Sequence, residues 1–304
     1  MTHVIRHAYR FALAAAALAP FGAAGAQQKV DIRRPAIATV SVRLNGALGS
    51  VRVTGWQQDT VAITGALAAG SRLEGGPLNA QGPVSGMKFY IDATDEAAAR
   101  NNRLELFVPR NARVWIKAGS ADIDVGSVGG SLDLNIIGGY VRVNGKPREL
   151  IVESMDGDVT FTGSADFAKL KTATGNITVG ASGEDLNVST ISGTITVTPA
   201  KAGPITHGRF ESVTGAIVFA GDIARGGDAQ FDTHSGAIEL RLASQADADI
   251  DATTITGAIE NTFTTRRPSA GREGRGMLLT TSSGNGGTTV VVRSFKGNVK
   301  LTTR

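Results

Sequence analysis

The chain has no cysteine. That absence excludes disulfides, thiolate metal sites, a cysteine nucleophile and a lipid-modified N-terminal cysteine. It is compatible with an oxidising compartment, because a large core needs no covalent staples. Aromatic residues make up only 5% of the 304 residues, and there are four histidines. Beyond residue 26 only His207 and His234 remain. A zinc site would have to draw most of its ligands from carboxylates, which is unusual. No apolar run reaches the roughly 20 residues needed to span a bilayer as a helix. A concentrated basic face is missing too, so nothing speaks for nucleic acid.

The start of the chain reads as a secretory signal over residues 1–26. Arg6, His7 and Arg10 supply a basic region, and Phe11 to Ala19 is a short apolar run. Pro20 and Gly22 break it, and Ala24-Gly25-Ala26 satisfies the small-x-small cleavage rule before Gln27. Loss of Arg6 and Arg10 with the leader takes the balance from 31 basic against 27 acidic residues to 29 against 27. The expected product is an exported protein in the periplasm, on the cell surface or outside the cell, without an integral membrane segment.

What the chain does have is glycine, 39 residues of it, among short alternating runs of Thr, Val, Ile and Asp. This is a strand-and-turn composition. Its one helix-like stretch beyond the leader, Asp95 to Arg100, is too short to matter. A unit of the form Ser/Thr-x-Ser/Thr-Gly-x-Ile-x-Val recurs, as in Thr172 to Val179 and Thr190 to Val197. Its glycines are Gly139, Gly157, Gly175, Gly193, Gly215, Gly236, Gly257 and Gly297. The first three intervals are 18 residues each, the next three are 22, 21 and 21, and the last is 40. Ala121 lies one further step upstream and marks a degenerate first copy. The last interval is expected to hold an extra turn and an inserted loop.

Positions are counted from the glycine as zero. Positions −7, −5, +2 and +4 are mostly apolar and −4 is polar, the period-two signature of a strand. Position −2 is apolar again (Met155, Ile191, Val213, Ile255, Phe295), so parity shifts at the Ser/Thr of −3. A shift that keeps −2 facing inward marks a corner, where hydroxyls bond nearby backbone. Glycine would sit inside, where a side chain would crowd the turn. One such unit cannot bury its own apolar stripe, but stacked units can, at about 4.8 Å per turn. About nine turns would make a column on the order of 45 Å long. A sandwich of hairpins would need tighter and more regular turn spacing. The expected fold is therefore all-β, a β-solenoid of 18–22-residue repeats over residues 119–304. Residues 27–118 form an irregular N-terminal β cap that covers edge strands. The Gly- and Pro-rich Gly70 to Gly86 is expected to be a loop disordered at its tip.

The segments LNGALGSVRVTGWQQDTVAITGAL and LELFVPRNARVWIKAGSADIDV, followed by the repeated units, resemble a family of exported β-strand-repeat domains of unknown function, often labelled "putative adhesin". The similarity covers residues 38–304. The resemblance implies a right-handed β-helix-like fold and an envelope location, and it carries no catalytic residues.

Three stretches carry candidate chemistry. Asp232-Thr233-His234-Ser235 offers an acid, a base and a hydroxyl, but neighbours on a strand face opposite ways and cannot act together. Asp247, Asp249 and Asp251 alternate along one strand face, as do Asp122 and Asp124. Such rows can bind calcium or work on a glycoside. The calcium-loop spacing is wrong, however, and a solvated face is the default. In Thr264 to Met277, Arg266, Arg267, Arg272 and Arg275 stand together and could meet anionic envelope polymers or carboxylates of a partner.

No cofactor, metal site or catalytic set is implied. The expected function is that of a non-enzymatic exported envelope protein with a repetitive β-surface for interaction or structure, adhesin-like. The alternatives are a carbohydrate-binding or carbohydrate-cleaving β-helix that uses an aspartate row, and a periplasmic scaffold for a signalling or assembly system. The partner would be an envelope polymer or protein, and self-association through the column's ends is open.

Overall fold

A computed structural model describes residues 27–79, 81–271 and 274–304. Residues 1–26, expected to be a secretory signal, lie outside the described residues. The fold is all-β and solenoid-like, and its strands stack in parallel with a register offset of one repeat.

The repeat unit is clearest in mid-chain, over β6 (Arg113–Gly126), β7 (Ser131–Gly145), β8 (Glu149–Ser154), β9 (Asp158–Thr172) and β10 (Ile177–Thr190). Tyr140–Gly145 pairs with Asp158–Gly163, and Glu149–Glu153 with Phe167–Lys171, both in parallel 18 residues apart. Each turn thus supplies one strand before the Ser/Thr-x-x-Gly corner and one after it. β11 (Ile195–Val197), β12 (Ile205–Ser212), β13 (Ile217–Phe219), β14 (Ile223–Thr233) and β15 (Ile238–Leu242) continue both stacks. The inward side chains of the two stacks meet in one core. Phe210 and Phe231 come from the strands before the corner. Both rings lie within 5.5 Å of the Phe219 ring, which comes from the strands after it. Each fully buried aliphatic or aromatic side chain contributes about 1.5–3 kcal/mol, so every added turn stabilises its neighbours.

The first strands build onto the same stacks. β1 (Gln28–Trp56) lies between the later rungs and β4 (Val84–Ala93). Its Ser41–Asn45 stretch pairs in parallel with Arg113–Lys117 on one side and Gly86–Tyr90 on the other. Ser50–Trp56 pairs with β5 (Arg103–Pro109). β2 (Thr60–Leu67) runs antiparallel to both β1 and β5. Asp95 caps the single-turn α1 (Glu96–Ala99) by accepting from the amides of Ala97 and Ala98. The expectation of a loop over Gly70 to Gly86 is corrected. Ser71–Pro77 forms β3, antiparallel to β4, because its backbone finds a full ladder of partners there.

The 40-residue interval before Gly297 is also corrected, since it holds no extra parallel turn. β16 (Ala248–Thr254) and β17 (Ile259–Asn261) do not stack on β14 and β15. The last segment, β20 (Thr289–Ser294) and β21 (Val299–Thr303), lies between them and pairs in parallel on both sides. The chain therefore skips one rung height, builds the end rung, and turns back to fill the gap. On the way it lays β19 (Met277–Ser283) antiparallel on β16, with the short β18 (Ser269–Ala270) against β19. No helix among the described residues is long and apolar enough to cross a membrane.

Candidate functional site

The Ser/Thr-x-x-Gly corner sets the shape of the site. In six copies the −3 hydroxyl accepts a hydrogen bond from the glycine amide three residues on; in the Gly139 copy the position is Ile136, and the Ser212 hydroxyl has no partner. The bond is 2.8 Å from Gly157 to Ser154, 3.1 Å from Gly175 to Thr172 and 2.7 Å from Gly297 to Ser294. A polar residue can be buried at −3 because this bond satisfies it locally. The corner glycines form a column in the order Gly139, Gly157, Gly175, Gly193, Gly215, Gly236, Gly297, Gly257. A Cβ at any of these from Gly157 on would run into the carbonyl oxygen of the glycine one rung below. Gly139 alone among them has a left-handed backbone, with φ of 98°.

With −3 inside, −2 must face out, which corrects the inward assignment of that position. Ile137, Met155, Ile191, Val213, Phe295 and Ile255 are between 45% and 56% exposed. His234 occupies the same column, exposed, and its ring stacks on Phe295 at 5.1 Å and 8°. Between this apolar column and the −4 column runs a groove floored by the buried −3 hydroxyls. One stretch, of about 700 Å³, lies between Lys171 and Phe295. A second, of about 350 Å³, runs from Lys117 to Ile191, and the two share Lys171, Thr172 and Ile191. Eight rungs at about 4.8 Å make the groove on the order of 35 Å long. Its polar wall carries Lys117, Glu153, Lys171, Glu211, Asp232 and Arg293, which balance in charge.

The other sequence candidates separate. Asp232 and His234 face outward while Thr233 is buried, and the Ser235 hydroxyl donates to the Val213 carbonyl at 3.4 Å. No acid–base–hydroxyl set forms there. In the aspartate row, Asp247 accepts from the Asn285 amide at 2.8 Å. Asp249 accepts from the Ser282 hydroxyl at 2.6 Å and the Gly287 amide at 3.2 Å. The Ser282 hydrogen bond, aided by that of Gly287, holds the Asp249 carboxyl below its ordinary value. These two aspartates fasten the return turn into β20. Asp124 accepts from the Tyr140 hydroxyl and from Arg142, each at 3.3 Å. Among the described residues no three His, Asp or Glu side chains gather as a metal-ligand set.

Arg266, Arg267 and Arg275 are exposed on the segment that carries β18, at the C-terminal end of the column. Arg272 lies outside the described residues. The segment is anchored by Asn261, whose side chain donates to the Thr264 hydroxyl and the Arg266 carbonyl, both at 2.8 Å. Composition gave no sign of the corner groove. The signal for it was present all the same, as an apolar residue directly after the −3 Ser/Thr in every copy but those with Ile136-Ile137 and Thr233-His234.

No curated protein matches the chain. A solved structure titled as "a putative adhesin" from Bacteroides fragilis NCTC 9343 is similar over 92% of this chain and 100% of that one, at 10% identity and a TM-score of 0.40. Another, titled as "a putative cell adhesion protein" from Clostridium sporogenes ATCC 15579, covers 91% of this chain and 100% of its own at 8% identity and a TM-score of 0.25. Likeness at this level supports neither a shared fold nor a shared role. The sequence match is of a different order. It runs over residues 51–302, through every rung from β5 to β21, and by it the chain belongs to the Toastrack DUF4097 family.

Proposed function

We propose that the protein is an exported, non-enzymatic envelope protein, adhesin-like in that one long face of the solenoid holds a partner. The observation that carries this reading is the exposed apolar column along the corner groove. Isolated exposed apolar residues need no explanation, but a continuous row rimmed by polar side chains is an interaction surface. The balanced charges of the polar wall suit a near-neutral polypeptide better than a polyanion. The arginines at 266, 267, 272 and 275 are proposed as a second contact, toward anionic envelope polymers. The aspartate row does not favour a glycosidase, since Asp247 and Asp249 are already engaged in the return turn.

The test combines location with surface chemistry. Intact cells are treated with protease, and cleavage within residues 264–277 is followed alongside fractionation. Envelope retention of the wild type is compared with that of an Ile191→Asp/Val213→Asp variant. Export with loss of retention in the variant, at unchanged thermal stability, supports the reading. Cleavage only after the outer barrier is breached assigns a periplasmic scaffold role to the same groove. Cytoplasmic residence, or retention unchanged in the variant, overturns the reading.

A further inference from the structure

A second concavity lies on the outer face of the strands before the corner, at the N-terminal end of the column, and adjoins the corner groove through a hollow lined by Trp115, Asp133 and Ile151 on one side and Lys117, Asn135 and Glu153 on the other. Its volume is about 610 Å³, within the range of roughly 300–1,000 Å³ typical of ligand sites. The ladder register places its central residues in one row: Lys88 beside Arg43, Arg43 beside Trp115, Trp115 beside Asp133, Asp133 beside Ile151. A second row runs Ser41, Arg113, Ser131, Glu149. Steps along each row are about 4.8 Å.

This arrangement is polarised. Lys88 and Arg43 stand at one end, and Arg113 shares the rung of Trp115, two residues before it on β6. None of the three is within ion-pair distance of an acid among the described residues. Lys88 lies over the Tyr90 ring at 4.9 Å. Asp133 and Glu149 stand at the other end. Asp133 accepts from the Asn135 amide at 2.6 Å, and burial pushes its carboxyl above its ordinary value. Between the two ends sits the half-buried indole of Trp115. Phe210, Phe219 and Phe231 are buried in the core, and Trp56 is stacked on Phe107 at 5.2 Å. Trp115 instead offers ring surface to a cavity with charged walls.

We infer that this cavity binds an acidic saccharide. A pyranose ring has an apolar C–H face that suits the indole, and its hydroxyls donate to Asp133 and Glu149. An acidic substituent on the same ring reaches Arg43, Lys88 and Arg113, where guanidinium groups can grip a carboxylate or phosphate with two hydrogen bonds. A neutral sugar would leave the cationic end unmatched. A bare anion would leave the indole unused. The saccharide contacts use none of the exposed apolar column of the corner groove, so either reading can fail without the other.

The test is calorimetric titration of the mature protein with a short oligogalacturonate, with its methyl-esterified neutral form and with inorganic phosphate. Saturable binding of the oligogalacturonate is expected, weakened about tenfold or more by methyl esterification and by Arg43→Ala/Arg113→Ala. Trp115→Ala is expected to weaken it comparably, while Ile191→Asp in the corner groove leaves it unchanged. Both cavity variants alter exposed or half-exposed side chains, and unchanged melting temperatures confirm their folding. A Trp56→Phe background leaves Trp115 as the one indole, whose fluorescence should change with the same saturation curve. No oligogalacturonate binding, or binding indifferent to Trp115→Ala, overturns the inference. Phosphate binding as tightly as the saccharide overturns it as well, because the site would then be a simple anion site.

Discussion

At the residue scale, glycine and Ser/Thr at the corner do different jobs. The glycine is required by the carbonyl one rung below it, not by backbone conformation. Gly193→Ala would force neighbouring rungs apart, and we expect a stability loss of about 3 kcal/mol or more, the upper end of overpacking costs. Gly126 has open space around its would-be Cβ. Gly126→Ala should change stability by no more than about 1 kcal/mol. Chemical denaturation of both variants checks the pair, and equal effects would refute the stacking explanation. The hydroxyls are separable in the same way. Thr190 accepts from the Gly193 amide at 3.1 Å, whereas the buried Ser212 hydroxyl has no partner. Thr190→Val strands a buried amide and is expected to cost about 1–3 kcal/mol. Ser212→Ala removes an unsatisfied group and should be neutral to within about 0.5 kcal/mol. Here the sequence is legible only in part. Positions +2 and +4 are read correctly because alternation fixes them against each other. The inside of a corner is not fixed that way, and hydrophobicity alone sent Met155 and Ile191 inward. A local hydrogen bond from the glycine amide outweighs that preference and buries the hydroxyl.

At the element scale, the order of the rungs is what sequence could not show. A 40-residue interval is equally long whether it holds a further turn or an outward trip and return. Repeat spacing reports that a copy exists, not where it is inserted. The structure puts β20 and β21 between β14–β15 and β16–β17, so the C-terminal segment is interior to the column. Arg304 secures it by donating to the Ala220 carbonyl at 2.7 Å and by pairing with Asp222. A chain terminus ordinarily frays, with opening free energies near zero. This one should not. Amides of Thr289–Ser294 are expected to exchange as slowly as those of Asp228–Thr233, while Met277–Ser283 exchanges faster. Rapid exchange over residues 289–303 would contradict the intercalated order. The sequence was equally silent on the Trp115 cavity, since Lys88, Arg43, Trp115 and Asp133 come from four strands and meet only through register.

At the scale of the whole molecule, a parallel column has two ends that can template further strands. Each is closed differently. At the N-terminal end, β2 and β3 cross antiparallel to the strands they cover. At the C-terminal end, β19 lies antiparallel on β16. Reversed strands at both ends interrupt the parallel stacking by which one copy could continue another. Removing one end cap should therefore create one sticky surface and no more. Replacing residues 263–284 by a flexible glycine-serine linker leaves Asp249–Thr254 with a bare edge, while β20 and β21 still support its other side. That edge pairs antiparallel with β19 in the intact protein, so two bare edges can pair with each other about a two-fold axis. An isologous contact of this kind closes on itself, whereas a head-to-tail contact would propagate. The expected product is a discrete dimer, seen by sedimentation velocity as a single faster boundary that depends on concentration. Long polymers would mean that the N-terminal end is also adhesive, and that β2 and β3 do not close it. A strict monomer would mean that the edge of β16 is protected by something other than β19.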